Sequence, residues 1–392
     1  MSEWKEYKLG ELGKIVTGKT PPTSQHQNYD GDIPFICIPD LGKSRFIFHT
    51  NKTISKIGLE TVKNCSLPKG SIVVSCIATI GQVGITTKDI SVTNQQINSL
   101  IPDSNLITEE FCYYYFKNLG EDLAQFGGGG SIFEIISKDK FSKVYLTIPS
   151  LPEQTAIASV LSSLDDKIDL LHRQNATLEK MGETLFRQWF VERRPEPVEG
   201  EAKEDWKSKP LSSIAVFLNG LACQKFPPKN NIEKLPVLKI KELSSGITEN
   251  SDWATTDVKP EYIVKNGDVI FAWSASLMVK IWDGQDCILN QHLFKVTSKD
   301  YPKWFYFLWC KHHLDEFIAK AASHATTMGH IKRGDLDKAM VLIPSTKELE
   351  EMTLETEPLI EKIIANNKQI KLLVNLRDTL LPKLMSGEVR IL

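Results

Sequence analysis

A long helical stretch over residues 151–190 restricts the fold of this chain more than any other feature of its sequence. Its apolar residues recur at alternating spacings of four and three from Ile157 onwards, which places them on one face of a helix. Ser150 and Glu153 predict a capping box, with Pro152 in the first turn. A helix of about 38 residues would span roughly 57 Å.

The same signal occurs a second time, over residues 346–384, at a constant offset of 195 residues. Ser345 and Glu348 repeat the capping box, and Leu164 corresponds to Leu359 in the apolar stripe. Two long helices with one apolar stripe each are expected to pair with one another. The alternative is two separate amphipathic helices, each docked on its own neighbouring domain. The matched length and the shared caps favour pairing.

The segments that precede the two helices also repeat. Trp4 matches Trp206 at an offset of 202, whereas Asn94 matches Asn290 at an offset of 196. An offset that drifts indicates loops of different length on one scaffold. We therefore expect a duplicated module, a globular domain followed by a long helix. The predicted boundaries are a first domain at 1–150, a central helix at 151–192, a linker at 193–205, a second domain at 206–345 and a C-terminal helix at 346–392.

Both globular segments contain mixed signals, in which short strands bounded by Gly, Pro and Asn are prominent. Strands are predicted at 33–38, 71–77, 144–148, 237–240, 268–273 and 339–343. Aromatic-rich helices are predicted at 109–118 and 302–319, where the spacing of the aromatic residues indicates a buried core rather than a ligand site. The Pro-, Glu- and Gly-rich segment 193–205 is typical of a linker.

The net charge of −2 at first argues against a nucleic-acid partner, but its distribution permits one. Residues 1–150 carry equal numbers of basic and acidic side chains, and residues 206–345 have a net charge of +4. The acidic excess lies on the central helix and linker, where residues 151–205 have a net charge of −5. Both predicted globular domains are therefore neutral to basic.

The cysteine pattern and the apolar runs indicate the class of protein. Seven cysteines without a CxxC pair argue against a disulfide framework and against a zinc ribbon. The polar start is no signal peptide, and the most apolar run, residues 304–310, is too short to span a bilayer. We therefore expect a cytoplasmic protein with no membrane partner.

One stretch, Gly13–Thr20, fits the phosphate-binding pattern GxxxxGK[ST]. That pattern requires a Gly-rich loop between a strand and a helix that starts at the lysine. Here residues 14–17 are predicted to be strand, and Pro21 and Pro22 disfavour a helix beginning at Lys19. An NTPase that uses this stretch is therefore a rival interpretation that we do not favour.

Signatures of other catalytic sites are not found in the sequence. It contains no Gly-rich dinucleotide fingerprint and no Asn-Pro-Pro-aromatic tetrad of adenine methyltransferases. The histidines have no paired metal spacing, and His312 and His313 are adjacent, so they would point to different faces of a helix. We expect no catalytic residue and no metal site.

Three stretches together resemble the specificity (S) subunit of type I restriction–modification systems. Residues 151–190 are similar to the central helix of that family, and Leu376–Ile391 to its C-terminal helix and end. Residues 4–12, with the turn Thr17–Pro21, resemble the start of its recognition domains. The second module departs from this pattern, since it has Asn219–Leu221 in place of the turn.

The resemblance implies an α+β fold with two mixed α/β target-recognition domains, separated by a pair of long antiparallel coiled-coil helices in a pseudo-twofold internal repeat. It implies a non-catalytic subunit whose two domains read the halves of a split double-stranded DNA target, while the helices set the gap. The implied partners are two methyltransferase (M) subunits, which use S-adenosylmethionine, and restriction (R) subunits, which use ATP and Mg²⁺. This chain itself would bind no cofactor. The alternatives are a subunit of a modification-only methyltransferase and a coiled-coil scaffold without a DNA role.

Candidate DNA contacts follow from the residue types that bind phosphates and base edges. In the first module they are Lys19, Thr20, Arg45, Ser75, Thr79, Gln95, Gln96 and, after the glycines at 127–130, Ser131. In the second they are Lys225, Lys229, Lys241, Ser274, Ser276, Lys280, Gln291, His292, Lys332 and Arg333. The alternative role of each lysine is a solvated surface charge, and that of Gln95 and Gln291 is a structural amide. Trp189 and Phe190 would dock a partner subunit or close the end of the helix pair.

Overall fold

The computed structural model describes residues 4–42, 44–127, 136–192, 206–323 and 329–391. The predicted linker at 193–205 and Ser131 lie outside these residues. The described chain forms two compact units, the first made of Met1–Lys167 with Leu373–Leu392 and the second of Ile168–Leu372. Each unit therefore contains one globular part and a portion of both long helices.

The first unit begins with strands and ends with the first long helix. Its elements in chain order are β1 (Lys5–Lys8), β2 (Gly13–Thr17), β3 (Tyr29–Ile36), β4 (Phe46–Ile47), β5 (Lys52–Ile54), α1 (Lys56–Val62), β6 (Ser66–Leu67), β7 (Ile72–Ser75), β8 (Val83–Thr86), β9 (Ser91–Thr93), β10 (Ile97–Pro102), α2 (Glu109–Leu119), α3 (Lys138–Ser142), β11 (Tyr145–Ile148) and α4 (Leu151–Arg187). Helix α4 continues beyond this unit into the second.

Three sheets organise the first unit. Their strand orders are β2-β10-β7-β8-β4, β5-β3-β9-β6 and β1-β11. All neighbours are antiparallel except β3 with β9 and β4 with β8. Strand β7 is buried at all four residues, as its β-branched sequence Ile-Val-Val-Ser predicts for a central strand covered on both faces. Aromatic residues of α2, among them Phe111 and Phe116, fill the core beside it.

The second unit contains a similar series of elements. They are β12 (Lys207–Pro210), α5 (Leu211–Ile214), β13 (Val216–Asn219), β14 (Lys234–Leu238), α6 (Ile240–Ser245), β15 (Trp253–Thr255), β16 (Ile263–Val264), β17 (Val269–Ala272), β18 (Met278–Ile281), β19 (Cys287–Leu289), β20 (Leu293–Thr297), α7 (Lys303–His312), α8 (Leu314–Ser323), α9 (Arg333–Lys338), β21 (Met340–Ile343) and α10 (Thr346–Met385). Helix α10 ends in the first unit.

The sheets of the second unit have the same connectivity as those of the first, except that the edge strand β4 has no counterpart among the described residues. Their strand orders are β13-β20-β17-β18, β15-β14-β19-β16 and β12-β21. Strand β14 pairs with β19 in parallel, as β3 does with β9. The predicted duplication is thus confirmed at the level of topology, and each described strand of the first unit except β4 has an equivalent in the second.

The six predicted strands and the first aromatic-rich helix are confirmed in position. The second predicted helix, at 302–319, is wrong as a single element, because α7 ends at His312 and α8 begins at Leu314. His313, between them, is only 9% exposed and its ring Nε2 lies 3.0 Å from the Met340 carbonyl oxygen. Buried side-chain contacts of this kind are not visible in helical periodicity.

The same tryptophan–glutamate contact attaches each domain to the start of a long helix. In the first unit Trp4 Nε1 donates to Glu153 Oε1 at 3.3 Å, and in the second Trp206 Nε1 donates to Glu348 Oε2 at 2.9 Å. The capping box at Ser345 is confirmed, since Glu348 N donates to Ser345 Oγ and Ser345 N to Glu348 Oε2. The matched tryptophans of the sequence repeat are therefore anchoring residues.

The two long helices pair within each unit and run antiparallel. In the first unit Ile157 and Leu161 of α4 share a buried cluster with Leu381 and Leu384 of α10. In the second unit Asn175 Nδ2 donates to Asn367 Oδ1 at 2.6 Å, so a later part of α4 meets an earlier part of α10. This confirms pairing over the alternative of two separately docked helices.

None of the helices in the described part of the chain combines the length and the apolar character needed to cross a membrane.

Candidate nucleic-acid interface

In the first unit, three loops meet at one end of the five-stranded sheet. The turn after β2 lies against the turn between β9 and β10, because Gly18 N donates to Ile97 O at 3.1 Å and Lys19 N to Thr93 O at 2.9 Å. Thr20 Oγ1 then donates to Gln95 Oε1 at 2.6 Å. Two predicted contact residues that are 75 positions apart in sequence are thereby neighbours.

Gly18 is required at this crossing. A Cβ atom at this position would lie 2.1 Å from the Asn94 carbonyl oxygen, closer than any side chain can approach. The equivalent Gly220 of the second unit meets the Asn290 carbonyl oxygen in the same way, at 2.2 Å. Gly18 and Gly220 are 202 residues apart, the offset that relates Trp4 to Trp206, and their shared identity reflects one close backbone contact that both units need.

This geometry contradicts the NTPase interpretation of Gly13–Thr20. Residues Gly13–Thr17 form strand β2, which pairs antiparallel with β10. The amides of Gly18 and Lys19 donate to protein carbonyl groups instead of converging on a phosphate. Strand pairing thus occupies the backbone groups that a phosphate-binding loop would use.

The loop between β7 and β8 completes the surface of the first unit. Cys76 N donates to Gln96 O at 2.9 Å, which joins this loop to the β9–β10 turn. Ala78 has a positive φ of 61°, and Thr79 beside it is exposed. We call residues 18–20, 76–82 and 94–96 the loop surface of the first unit; it holds Lys19, Thr20, Thr79, Gln95 and Gln96.

The second unit builds an equivalent surface with the same backbone contacts. Gly220 N donates to Leu293 O at 3.1 Å, Leu221 N to Leu289 O at 2.8 Å and Gln291 N to Leu221 O at 2.8 Å. Ala275 has a positive φ of 58°, as Ala78 does in the equivalent loop. We call residues 220–221, 273–277, 290–292 and 329–331 the loop surface of the second unit; it holds Ser276, Gln291 and His292.

The side chains on the second loop surface differ from those on the first. Trp273 occupies the position of Cys76, since each follows the central strand of its sheet directly. Its Nε1 donates to Asn219 Oδ1 at 3.2 Å, and its ring stacks on Phe294 with centroids 5.7 Å apart. The rings of His292 and His330 lie beside it at 5.9 and 6.3 Å.

Trp273, His330 and Asn219 were not among the predicted contact residues. Gly70 and Gly267 are equivalent glycines of the repeat, and they lie 197 residues apart. The same offset, applied six residues further along, aligns Cys76 with Trp273. The repeat therefore contained this signal, although nothing in the local pattern distinguished Trp273 from a core tryptophan.

Comparison with known proteins decides the family. The family described as "Type I restriction modification DNA specificity domain" matches residues 1–180 and 203–375. The chain belongs to this family. It is 31% identical over 414 residues to the type I restriction enzyme MjaIX specificity subunit of Methanocaldococcus jannaschii, an alignment that covers 99% of this chain and 94% of that protein.

One further relative and one solved structure are also similar to this chain. A stretch of 152 residues is 38% identical to the type I restriction enzyme HindI specificity subunit of Haemophilus influenzae, covering 38% of this chain and 32% of that protein. The crystal structure of the type I restriction–modification S subunit from M. genitalium aligns with a TM-score of 0.57 at 14% identity, covering 98% of this chain and 96% of that one. That likeness shows the fold. The predicted fold class, two mixed α/β domains with a pair of long antiparallel helices, is confirmed.

Several predicted contact residues of this specificity-family chain lie outside the two loop surfaces or at their margins. Lys332 and Arg333 follow the second loop surface directly and are exposed, and Lys225 is exposed after Leu221. Lys241 is exposed on α6, and Lys280 lies on β18, where its Nζ donates to Leu243 O. Lys229 forms an ion pair with Asp257 at 2.6 Å, and this hydrogen bond raises the pKa of the lysine.

Arg45 is a correction, because it is buried and already paired. Its side chain is 6% exposed; Nη2 lies 2.6 Å from Asp166 Oδ1 and Nη1 donates to the Tyr114 hydroxyl at 2.9 Å. Arg45 therefore attaches the first domain to helix α4 and is unavailable to a phosphate. Releasing a buried guanidinium from its partners would cost several kcal/mol.

Ser75 and Ser274 are also corrections. Ser75 is 0% exposed, and its Oγ accepts from Gln82 N at 2.9 Å, so it shapes the β7–β8 loop. Ser274 is 6% exposed and forms a β-bridge with His330. Both serines support the loop surfaces from beneath.

Of the two roles predicted for Trp189 and Phe190, the burial of Phe190 favours closing the helix end over docking a partner. Phe190 is 5% exposed and packs against Phe186, Trp206 and Trp309 in the core of the second unit. Trp189 is partly exposed, with its ring 6.1 Å from that of Trp304. Trp189 alone remains a candidate for partner contact.

Proposed function

We propose that each loop surface reads one half of a bipartite double-stranded DNA target and that the chain directs a type I restriction–modification complex. The observation that carries this proposal is the contrast between the two units. One backbone scaffold, crossed by the same glycine contact, presents unlike side chains at equivalent positions. Such a pair of domains would bind two different half-sites.

The residue types on each surface suit the two kinds of DNA contact. Lys19 and, beside the second surface, Lys332 and Arg333 are exposed cations that would bind phosphates. Gln95 and Gln291 carry amides that donate and accept, as base edges require. Amide and imidazole groups on loops of a fixed sheet would give sequence readout, while the cations would set orientation.

The helix pair would set the distance between the half-sites and dock two methyltransferase subunits. In the second unit several large apolar side chains of the helices face solvent, namely Leu170 at 40%, Leu354 at 78% and Leu372 at 70% exposure. Leu170 lies on α4 and the other two on α10, and we propose that they contribute to the surface that docks these subunits. Catalysis would reside in the methyltransferase subunits, and ATP-driven cleavage in restriction subunits.

A domain exchange tests the proposal. The chain is co-expressed with its methyltransferase subunit, and methylated bases are mapped across the genome. We expect a split motif, of which one half only changes when residues 1–150 are replaced by those of a related specificity subunit. The matched exchange of residues 206–345 should change the other half.

Two outcomes would contradict the proposal. Methylation of an unsplit motif would exclude a bipartite reader. A split motif that is indifferent to both exchanges would place sequence recognition in another subunit.

A further inference from the structure

Trp273 presents an apolar group at the centre of the second loop surface. It is partly exposed, and one face of its indole ring stacks on Phe294. Every polar group of this residue already has a protein partner. Its N donates to His292 O at 3.3 Å, its O accepts from Ile331 N at 3.1 Å, and its Nε1 donates to Asn219 Oδ1.

Because its N–H is bonded to Asn219, the indole presents an apolar ring to an approaching base. Among the groups that base pairs present in the major groove, the C5-methyl of thymine is the apolar one. We infer that Trp273 is a specificity-determining residue that packs against a thymine methyl in the second half of the target. The inference rests on the proposed function and adds the chemical identity of one base.

The surroundings of Trp273 hold it in place for such a contact. The segment after it is fixed by Ala275, whose φ of 58° is rare for a residue with a side chain and whose N donates to Gly329 O at 2.9 Å. His292 lies beside the ring, Gln291 Nε2 lies 3.3 Å from His292 Nε2, and both side chains carry groups that can hydrogen-bond to neighbouring bases. A rigid apolar contact with polar groups around it discriminates bases better than a mobile one.

The first unit cannot make the same contact, which makes the inference specific to one half of the target. Its equivalent residue, Cys76, is 2% exposed. Asn98, at the position of Phe294, directs its Nδ2 to Ile136 O at 2.8 Å and accepts from Thr17 Oγ1 at 2.6 Å. The equivalent place is therefore closed by internal hydrogen bonds.

Methyl transfer by the chain with its methyltransferase subunit tests this inference on duplexes that carry the mapped motif. Each thymine of the second half-site is replaced in turn by deoxyuridine, which removes only the methyl group. One such replacement should lower the wild-type rate roughly four- to tenfold. The W273A variant should show the lower rate on the thymine duplex and no further loss on the deoxyuridine duplex.

Two variants separate readout from folding. W273F keeps an aromatic ring on Phe294 and should retain a reduced preference for thymine over deoxyuridine. W253A is the matched control, because Trp253 is 40% exposed in the same unit but lies on β15, with its ring under Lys234. We expect W253A to keep the wild-type preference.

The possible failures are distinguishable. An unsplit motif in the wild-type map contradicts the proposed function itself. A split motif without thymine in the second half overturns the role of Trp273 alone. That role is also overturned if W273A lowers the methylation rate by the same factor on the thymine and the deoxyuridine duplex, or if W273A methylates both duplexes at the wild-type rates.

Discussion

Asp165 joins side chains from three parts of the first unit. Its carboxylate accepts from the Tyr114 hydroxyl at 2.8 Å and from Arg377 Nη1 at 2.8 Å, and Lys117 Nζ lies 3.4 Å away. Burial alone would raise the pKa of Asp165, but Lys117 and the hydrogen bonds from Arg377 and Tyr114 outweigh it and the pKa is lowered. The ionised carboxylate therefore stabilises the fold.

Replacing Asp165 by Asn should destabilise the protein by about 3 kcal/mol at neutral pH, because two cations lose a buried partner. The folded-state pKa lies below the unfolded value of about 3.9, so the stabilisation is complete above roughly pH 4 and is lost as the pH falls through the folded pKa. The difference between D165N and wild type should therefore shrink below about pH 4. Urea denaturation across this range measures it.

The control is D169N, which changes an exposed aspartate on the same helix. We expect it to lie within about 0.5 kcal/mol of wild type. A D165N variant as stable as D169N at neutral pH would show that the network contributes nothing net.

Arg45 shows why single residues were the hardest part of the site to predict. It is an arginine beside Phe46 in a loop-rich segment, which is typical of a DNA contact. Its partner Asp166 is 121 positions away in sequence, so only the folded chain reveals that the charge is occupied.

At the scale of elements, the helix pair contains a buried polar contact in the second unit. Asn175 is 8% and Asn366 1% exposed, and Asn366 Nδ2 donates to Asn175 Oδ1 at 2.9 Å. Asn366 Oδ1 has no hydrogen-bond partner among the described residues. A buried amide in an otherwise apolar seam lowers stability but disfavours other alignments of the helices.

A double-mutant cycle tests this contact. N175L alone should destabilise by about 1–3 kcal/mol, because it leaves the buried Asn366 amide unpaired. N175L/N366L should recover most of that loss, since both buried amides become apolar and Asn367, the other partner of Asn175, is partly exposed and can bond to water. Denaturation curves of N175L, N366L and N175L/N366L give the coupling energy between the two residues. The control is N375L, at an exposed position of α10. If the loss of stability in the double variant equals the sum of the losses in the two single variants, the contact is excluded.

At the scale of the molecule, the two units share their topology and differ in how they contact the helices. In the first unit, charged and hydroxyl groups around Asp165 add to the apolar contact that Ile157 and Leu161 make. In the second, aromatic packing dominates, with Phe186 and Phe190 of the α4 end against Trp309. The helix pair is thus common to both units while each globular part is fitted to it differently.

The proposed spacer role makes a prediction for the whole protein. Seven residues inserted into both helices, after Lys167 and after Leu372, preserve the apolar seam and add roughly 10 Å. The unread gap of the methylated motif should widen by about three base pairs, with both half-sites unchanged. Genome-wide methylation mapping detects this.

An insertion in one helix only is the control for that experiment, because it breaks the pairing and should abolish methylation. An unchanged gap after the double insertion would mean that the helices do not set the spacing.

The sequence alone determined the repeat, the two long helices, the positions of the six predicted strands and the rejection of Gly13–Thr20 as a phosphate site. Each of these depends on periodicity or on turn residues, which act over a few positions along the chain. Tertiary structure alone decided that Arg45 and Ser75 are buried, that His313 divides two helices and that Trp273 lies on a loop surface. Burial and pairing depend on residues far apart in sequence, so no local pattern contains them.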